Sequence, residues 1–198
     1  FLGPNGAGKT TTIKMLTGLL APTGGIARVA GHDLQTEPVE AKRQIGYVPD
    51  RPYLYEKLSG RDFMKFTGDL FRIPKALREQ RTDQYFALFR LQEEADQFIE
   101  NYSHGMRQKL VLAAQLMHEP RVLIVDEPMV GLDPQSTRTI KQLLRQQAAQ
   151  GCAIFLSTHT LSVAEELADR IGVIHRGRLL FIGTIGELRA RLAADGNL

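Results

Sequence analysis

Gly3-Pro4-Asn5-Gly6-Ala7-Gly8-Lys9-Thr10 satisfies the pattern G-x-x-x-x-G-K-[ST] at every constrained position. Its glycines let the backbone turn tightly enough for successive N–H groups to point into one anion-sized hollow. A helix begun at Lys9 adds the partial positive charge of its N-terminus to that hollow. Lys9 brings a mobile full charge suited to β- and γ-phosphates, and the Thr10 hydroxyl is a hard oxygen ligand for Mg²⁺. The expected ligand is a nucleoside triphosphate with Mg²⁺, held by residues 3–10 and by Thr11 in the first helical turn; loops of this kind serve kinases, GTPases, helicases and transporters alike. A Gly-rich turn before a helix can also be merely structural. The order apolar pair Phe1-Leu2, loop, Lys-Thr and helix favours the phosphate-binding reading. Phe1-Leu2 reads as the close of a buried strand, so the sequence is expected to open in mid-fold, without its first strands.

Downstream of this loop, apolar runs alternate with helical patterns. A helix is expected over residues 9–20, ended by Pro22 and Gly24-Gly25, and short strands over 26–30 and 44–48. From about Pro52 to Glu100 the texture changes. Phe63, Phe66 and Leu70, then Tyr85, Leu88 and Phe89, recur at helical spacing, with Pro74 separating two helices. Strand and helix then alternate again: strands at 122–126, 153–157, 171–175 and 178–182, helices at 134–150, 161–169 and 185–194. Strands separated by helices of ten or more residues imply a mostly parallel sheet covered on both faces. The fold class is α/β, a phosphate-loop NTPase core with a mostly parallel sheet and an inserted helical subdomain. Residues 1–50 and 106–198 would form the core, and 51–105 the insertion.

Composition narrows the partners. The 198 residues are 43% hydrophobic and 24% charged, with a net charge of +3, an ordinary balance for a folded domain. Lys and Arg are scattered along the chain rather than clustered, so no nucleic acid is expected as a partner. Cys152, the only cysteine, excludes an internal disulfide and points to a reducing compartment. It opens the apolar run 152–156 and reads as a core residue rather than a nucleophile. No stretch approaches the roughly 18–20 apolar residues needed to cross a bilayer, and no charged-then-apolar leader is visible. A membrane role would need another protein to hold this one in place.

The second chemical motif is Val122-Leu123-Ile124-Val125-Asp126-Glu127-Pro128, an apolar strand ending in two acids. Ligands collect at the C-terminal ends of parallel strands. Asp126 is placed to hold Mg²⁺ through its water shell, and Glu127 to polarise an attacking water at the γ-phosphate. Alone, two acids at a strand exit are as readily a solvated surface; beside the phosphate loop they read as hydrolytic.

With these residues in view, the chain resembles the ATP-binding cassette (ABC) ATPase family over nearly its whole length. The decisive element is Tyr102-Ser103-His104-Gly105-Met106-Arg107-Gln108-Lys109, which resembles the family's signature loop, usually Leu-Ser-Gly-Gly-Gln. Tyr102, His104 and Met106 depart from that pattern, while Ser103 and Gly105 keep the positions that would meet a γ-phosphate. Gly131-Leu132-Asp133-Pro134 resembles the loop through which two such subunits touch, and Asp133 also suits the N-cap of the following helix. His159 resembles the switch histidine that contacts the γ-phosphate and orients Glu127. Lys9, Glu127 and His159 would carry catalysis, and Thr10, Asp50 and Asp126 the metal.

Asp50 is the departure with chemical weight, because the family places Gln after the Ile-Gly-Tyr-Val-Pro strand. A carboxylate can still ligate Mg²⁺ but donates no hydrogen bond and adds negative charge. A metal-proximal role with an altered hydrolysis rate is therefore expected. The family's adenine-stacking aromatic lies upstream of the phosphate loop, before residue 1; such stacking contributes roughly 1–3 kcal/mol by analogy with nucleic acids.

The resemblance implies a head-to-tail pair of nucleotide-binding subunits, homodimer or heterodimer, that sandwiches ATP. It also implies a transmembrane permease partner and peripheral attachment to the cytoplasmic face of the membrane. Tyr53, Leu54 and Tyr55 would either meet that partner or pack under the helices. The transporter subunit of a bacterial exporter is the leading reading. A family member working in translation or DNA maintenance, and a binding-only module, remain the alternatives.

Overall fold

The computed structural model describes residues 1–194. In chain order the elements are α1 (Lys9–Leu16), β1 (Arg28–Val29), β2 (His32–Asp33), α2 (Pro38–Arg43), β3 (Ile45–Val48), α3 (Gly60–Leu70) and α4 (Lys75–Phe89). They are followed by α5 (His104–Leu116), β4 (Val122–Asp126), α6 (Pro134–Ala149), β5 (Ala153–Ser157), α7 (Leu161–Leu167), β6 (Ile171–His175), β7 (Arg178–Gly183) and α8 (Ile185–Ala194).

β3, β4 and β5 form a parallel sheet in which Val48 lies beside Val125 and Asp126 beside Ser157. Phe1 and Leu2 extend it. Leu2 bridges in parallel to both Thr158 and Val173, and so links β5 to the antiparallel hairpin β6–β7. The strands' C-terminal ends, with the loop at Gly3, therefore share one edge.

Period-2 alternation sends successive side chains to two separate cores. Leu123, Val125 and Val48 join a large cluster built by α3–α6, while Ile124, Ile45 and Tyr47 meet Ile13, Val29, Leu34 and Ala41 on the opposite face. Leu123, Ile124 and Val125 are at most 1% exposed, and each such burial stabilises the fold by roughly 1.5–3 kcal/mol. β4 is thus an apolar strand whose last residue, Asp126, is delivered buried to the sheet edge. α5 presses on β3 at Gly46, where a Cβ would stand 3.1 Å from the Gln115 carbonyl and 2.9 Å from Leu123.

Several sequence expectations need correction. α1 stops at Leu16 rather than reaching residue 20. Gly18 adopts φ 66°, and the N–H groups of Leu19 and Leu20 both turn back to the Lys14 carbonyl, a helix-ending arrangement that glycine permits. The strand expected at 26–30 shrinks to two residues paired with β2 across Ala30-Gly31, both at positive φ, a tight hairpin turn. β2 and α2, of two and six residues, are too short to give a periodic signal in the sequence.

Phe63 is buried as its spacing suggested, but Phe66 and Leu70 are exposed, because α3 buries the stripe Phe63-Met64-Thr67 instead. In α4, Phe86 and Phe89 are buried and Leu88 is exposed. Cys152 is half-buried against the large cluster, and burial pushes its thiol pKa up. The large cluster runs unbroken from α3 and α4 through α5 to β4, and α5 spans the expected boundary at residues 105/106.

Candidate functional site

The phosphate loop is built from two left-handed glycines. Gly6 has φ 77° and Gly8, the N-cap of α1, has φ 109°. A Cβ on Gly6 would meet nothing within 4 Å; backbone conformation, not space, demands glycine there. The hairpin turn between β6 and β7 braces the loop from behind, with the Gly177 N–H donating to the Ala7 carbonyl at 2.8 Å. The first N–H groups of α1, at Lys9, Thr10 and Thr11, have no partner within the helix and face the same edge as the loop. Thr12 is turned elsewhere, its hydroxyl donating to the Gly8 carbonyl at 3.0 Å.

Lys9 is 7% exposed. Its ammonium donates to the Gly3 carbonyl at 2.7 Å and the Pro4 carbonyl at 3.4 Å, and stands 3.6 Å from Glu127 Oε1. The charge is therefore held over the loop on three oxygens. Thr10 donates its hydroxyl to Asp126 Oδ2 at 3.2 Å. Asp126, 3% exposed, also accepts from the Ser157 hydroxyl through Oδ1. A buried carboxylate needs such donors. Glu127 has φ 50°, and its N–H is tied to the Ser157 carbonyl at 3.2 Å, which swings its side chain out of the strand's alternation and toward Lys9. His159 Nδ1 lies 2.9 Å from Glu127 Oε1. A carboxylate only accepts, so Nδ1 carries the proton in this contact.

Five of the residues singled out by sequence thus converge: Lys9, Thr10, Asp126, Glu127 and His159. Asp50 follows the end of β3 by two residues, at the sheet edge where Val48 lies beside Val125. Tyr47 reports on both acids, since burial first, and then the charges of Asp126 and Asp50, push its phenol up to about 12.

The other three form a second group. Ser103 caps α5 by accepting the Met106 N–H at 3.2 Å. Asp133 caps α6 by accepting the Ser136 N–H at 2.9 Å, and the Ser136 hydroxyl bonds hold its carboxyl below the usual range. Gly105 faces Leu132. Tyr102 is explained by its own contacts: it is buried, donates to the Glu94 carbonyl at 2.6 Å and fills the space over Gly60. Arg107 then binds Glu56, the Tyr102 carbonyl and the Glu100 carbonyl at 2.9, 3.2 and 3.1 Å, fastening this loop to the segment that follows Asp50.

Sequence reading missed Ser157. Its only signal was position, at the end of a strand whose register sets it opposite Asp126.

The donor set fits Mg²⁺ carried by phosphate. Among the described residues no group of three or more His, Cys, Asp or Glu could hold a metal alone, and Mg²⁺ is characteristically bound by one or two protein oxygens plus phosphates and water. Thr10 and Asp126 supply that pair.

Residues 1–130 match the family model described as ABC transporter. The chain belongs to this family. It is 38% identical over 194 residues to the linearmycin resistance ATP-binding protein LnrL of Bacillus subtilis, covering 98% of this chain and 62% of the relative. It is 40% identical to the daunorubicin/doxorubicin resistance ATP-binding protein DrrA of Streptomyces peucetius, covering 98% and 59%. The chain therefore spans about three fifths of the length of these curated relatives. A solved ATP binding subunit of an ABC transporter superposes with TM-score 0.92 at 34% identity, over 98% of this chain and 81% of that one. The dimeric ATP-binding cassette MJ0796, bound to ADP and Pi, superposes at 0.82 over 93% of this chain and 83% of that one. At 22% identity, that likeness is one of fold. The α/β phosphate-loop architecture expected from sequence is that of this ABC transporter family.

Proposed function

We propose that this chain is the ATP-hydrolysing subunit of an ABC exporter. The observation that carries the proposal is the convergence of Lys9, Glu127 and His159 at 2.9–3.6 Å beside the Thr10–Asp126 pair. Loop N–H groups and Lys9 bind the β- and γ-phosphates, where their fixed dipoles meet the charge that develops on phosphoryl transfer. Glu127 orients a water for in-line attack and accepts its proton. His159 holds the Glu127 carboxylate in place. Bound Mg²⁺ would neutralise phosphate charge, with Thr10 and Asp126 as its protein-side oxygens and Asp50 nearby.

Ser103 and Gly105 stand apart from this group, on the start of α5. A second nucleotide-binding subunit packed head to tail would bring its own Ser103 and Gly105 to the triphosphate, with the loop at Asp133 between the two. Closure on binding and release after hydrolysis would then drive the machine.

The names of two relatives refer to linearmycin and to daunorubicin/doxorubicin resistance, which supports export over a role in translation or DNA maintenance. Among the described residues no helix is long and apolar enough to cross a membrane; the attachment proposed is peripheral, through a permease subunit. Tyr53 is 98% exposed, and Tyr55 meets Phe66 edge to face at 5.3 Å beside exposed Leu70. That aromatic strip on the 51–105 segment is the proposed docking site; Tyr53 does not pack under the helices.

Glu127→Gln decides the matter on the full-length subunit. Phosphate release should fall by roughly 10²–10⁴-fold, the usual contribution of a general base, while ATP binding persists and an ATP-bound dimer accumulates. Undiminished release would remove Glu127 from this role.

A further inference from the structure

The start of α5 makes one more contact, which neither the hydrolytic group nor the docking strip uses. A Cβ placed on Gly131 would lie 2.9 Å from Cδ2 and 3.4 Å from Nε2 of His104. Gly131 also has φ 73°, so backbone conformation demands glycine there, and a side chain in its place would displace the imidazole above it. One residue further along each segment, a Cβ on Gly105 would touch Leu132 at 3.4 Å. Consecutive residues of the Ser103 loop thus face consecutive residues of the connector between Glu127 and Asp133.

That connector has little slack. It leaves Glu127 at φ 50°, is bonded within itself from the Val130 N–H to the Glu127 carbonyl at 3.2 Å, and ends in the Asp133 cap of α6. A backbone shift at Glu127 is therefore passed to Gly131, and there it meets His104. A glycine at position 104, as the family pattern has, would present no side chain to receive it.

We propose that His104 is a positioning residue: by resting on Gly131 it ties the loop offered to the second subunit's triphosphate to the connector behind its own Glu127. The two nucleotide sites of the pair then respond together. This rests on the head-to-tail arrangement proposed above. His104 is exposed, so the contact adds little to folding; its consequence is coupling.

The test is steady-state phosphate release against ATP concentration for the full-length subunit. Wild type should give a sigmoidal curve, for which two coupled sites set an upper Hill coefficient of about two. His104→Gly should bring it to about one, and His104→Phe, which keeps a ring over Gly131, should retain the sigmoid. In a double-mutant cycle, Gly131→Ala should cost about threefold more rate beside His104 than beside His104→Gly, because the steric part of its effect vanishes with the ring.

Additive effects, or His104→Phe behaving like His104→Gly, would overturn the proposal. The second result would assign the imidazole to direct donation toward nucleotide. Where Gly131→Ala does not fold, the two His104 variants decide alone. A wild type that releases no phosphate defeats the hydrolytic reading and this inference together; an active wild type with additive effects defeats only the inference.

Discussion

The group around Glu127 and the group around Ser103 are made from similar parts, yet they are finished to different degrees. Lys9, Asp126 and Ser157 are buried, and each polar atom named there has a partner in the same chain. Ser103, His104 and Asp133 are exposed, and their bonds only close helix ends. The first group is assembled by topology, because parallel strands deliver their last residues to one edge. The second is assembled only as far as a helix start, leaving donors directed at solvent. A site of which one half is complete and the other outward-facing is what a pair of subunits can open and close.

α5 connects the two conditions, exposed at Ser103 and buried at its other end. There His118 follows the helix, stacks on Phe71 at 3.7 Å with an interplanar angle of 3°, and directs Nε2 to the Ile45 carbonyl at 3.2 Å. Its Nδ1 is buried and has no hydrogen-bond partner among the described residues. Burial, and next to it the Arg81 charge against the opposing pull of Ile45, brings its pKa down to about 4 from 6.5. The folded protein therefore resists a proton that the unfolded chain accepts below pH 6.5. Stability falls as pH drops from about 6.5 to 4, by roughly 3 kcal/mol over the window, and levels off below it. His118→Gln should flatten that slope in urea melts taken between those pH values. An unchanged slope would detach this end of α5 from the buried condition assigned to it.

Ser157→Ala tests the completeness of the first group more directly. It removes one of two hydroxyls on a 3% exposed carboxylate, which should cost about 1–3 kcal/mol of stability. It should also raise the Mg²⁺ concentration needed for phosphate release, since Asp126 would turn from a fixed oxygen into a mobile one. Ser103→Ala, a cap at the surface, should leave Mg²⁺ dependence unchanged. Equal shifts in the two variants would erase the distinction between the groups.

How legible each group was in the sequence follows from how local its requirements are. The phosphate loop needs only eight consecutive residues of stated type, and Asp126-Glu127 needs only an apolar run before it. Ser157 and the His104–Gly131 contact depend on register and on segments 27 or more residues apart, which no window reveals. Phe66 and Leu70 show the opposite failure. Their spacing is helical, but periodicity says that a face exists and not which face is buried; Met64 and Thr67 took the core. The end of α1 turned on one glycine, Gly18, whose left-handed backbone outweighed the apolar residues beyond it.

Asp50 gives the smallest and sharpest probe, because it sits where the finished group meets the segment leading to the other. Tyr47 feels its charge together with that of Asp126, and Arg107 fastens Glu56, six residues further on, to the Ser103 loop. Asp50→Gln removes a negative charge from the edge where the proposed function puts the triphosphate, and supplies an amide donor. Phosphate release should change by about two- to tenfold, the span of one net hydrogen bond of 0.5–1.5 kcal/mol. Half-saturation by Mg²⁺ should move with it, because a carboxylate oxygen near the metal is exchanged for a neutral one. If both rate and Mg²⁺ dependence match wild type, Asp50 belongs to the segment that follows it rather than to the hydrolytic group. The boundary between the two regions would then fall at the end of β3.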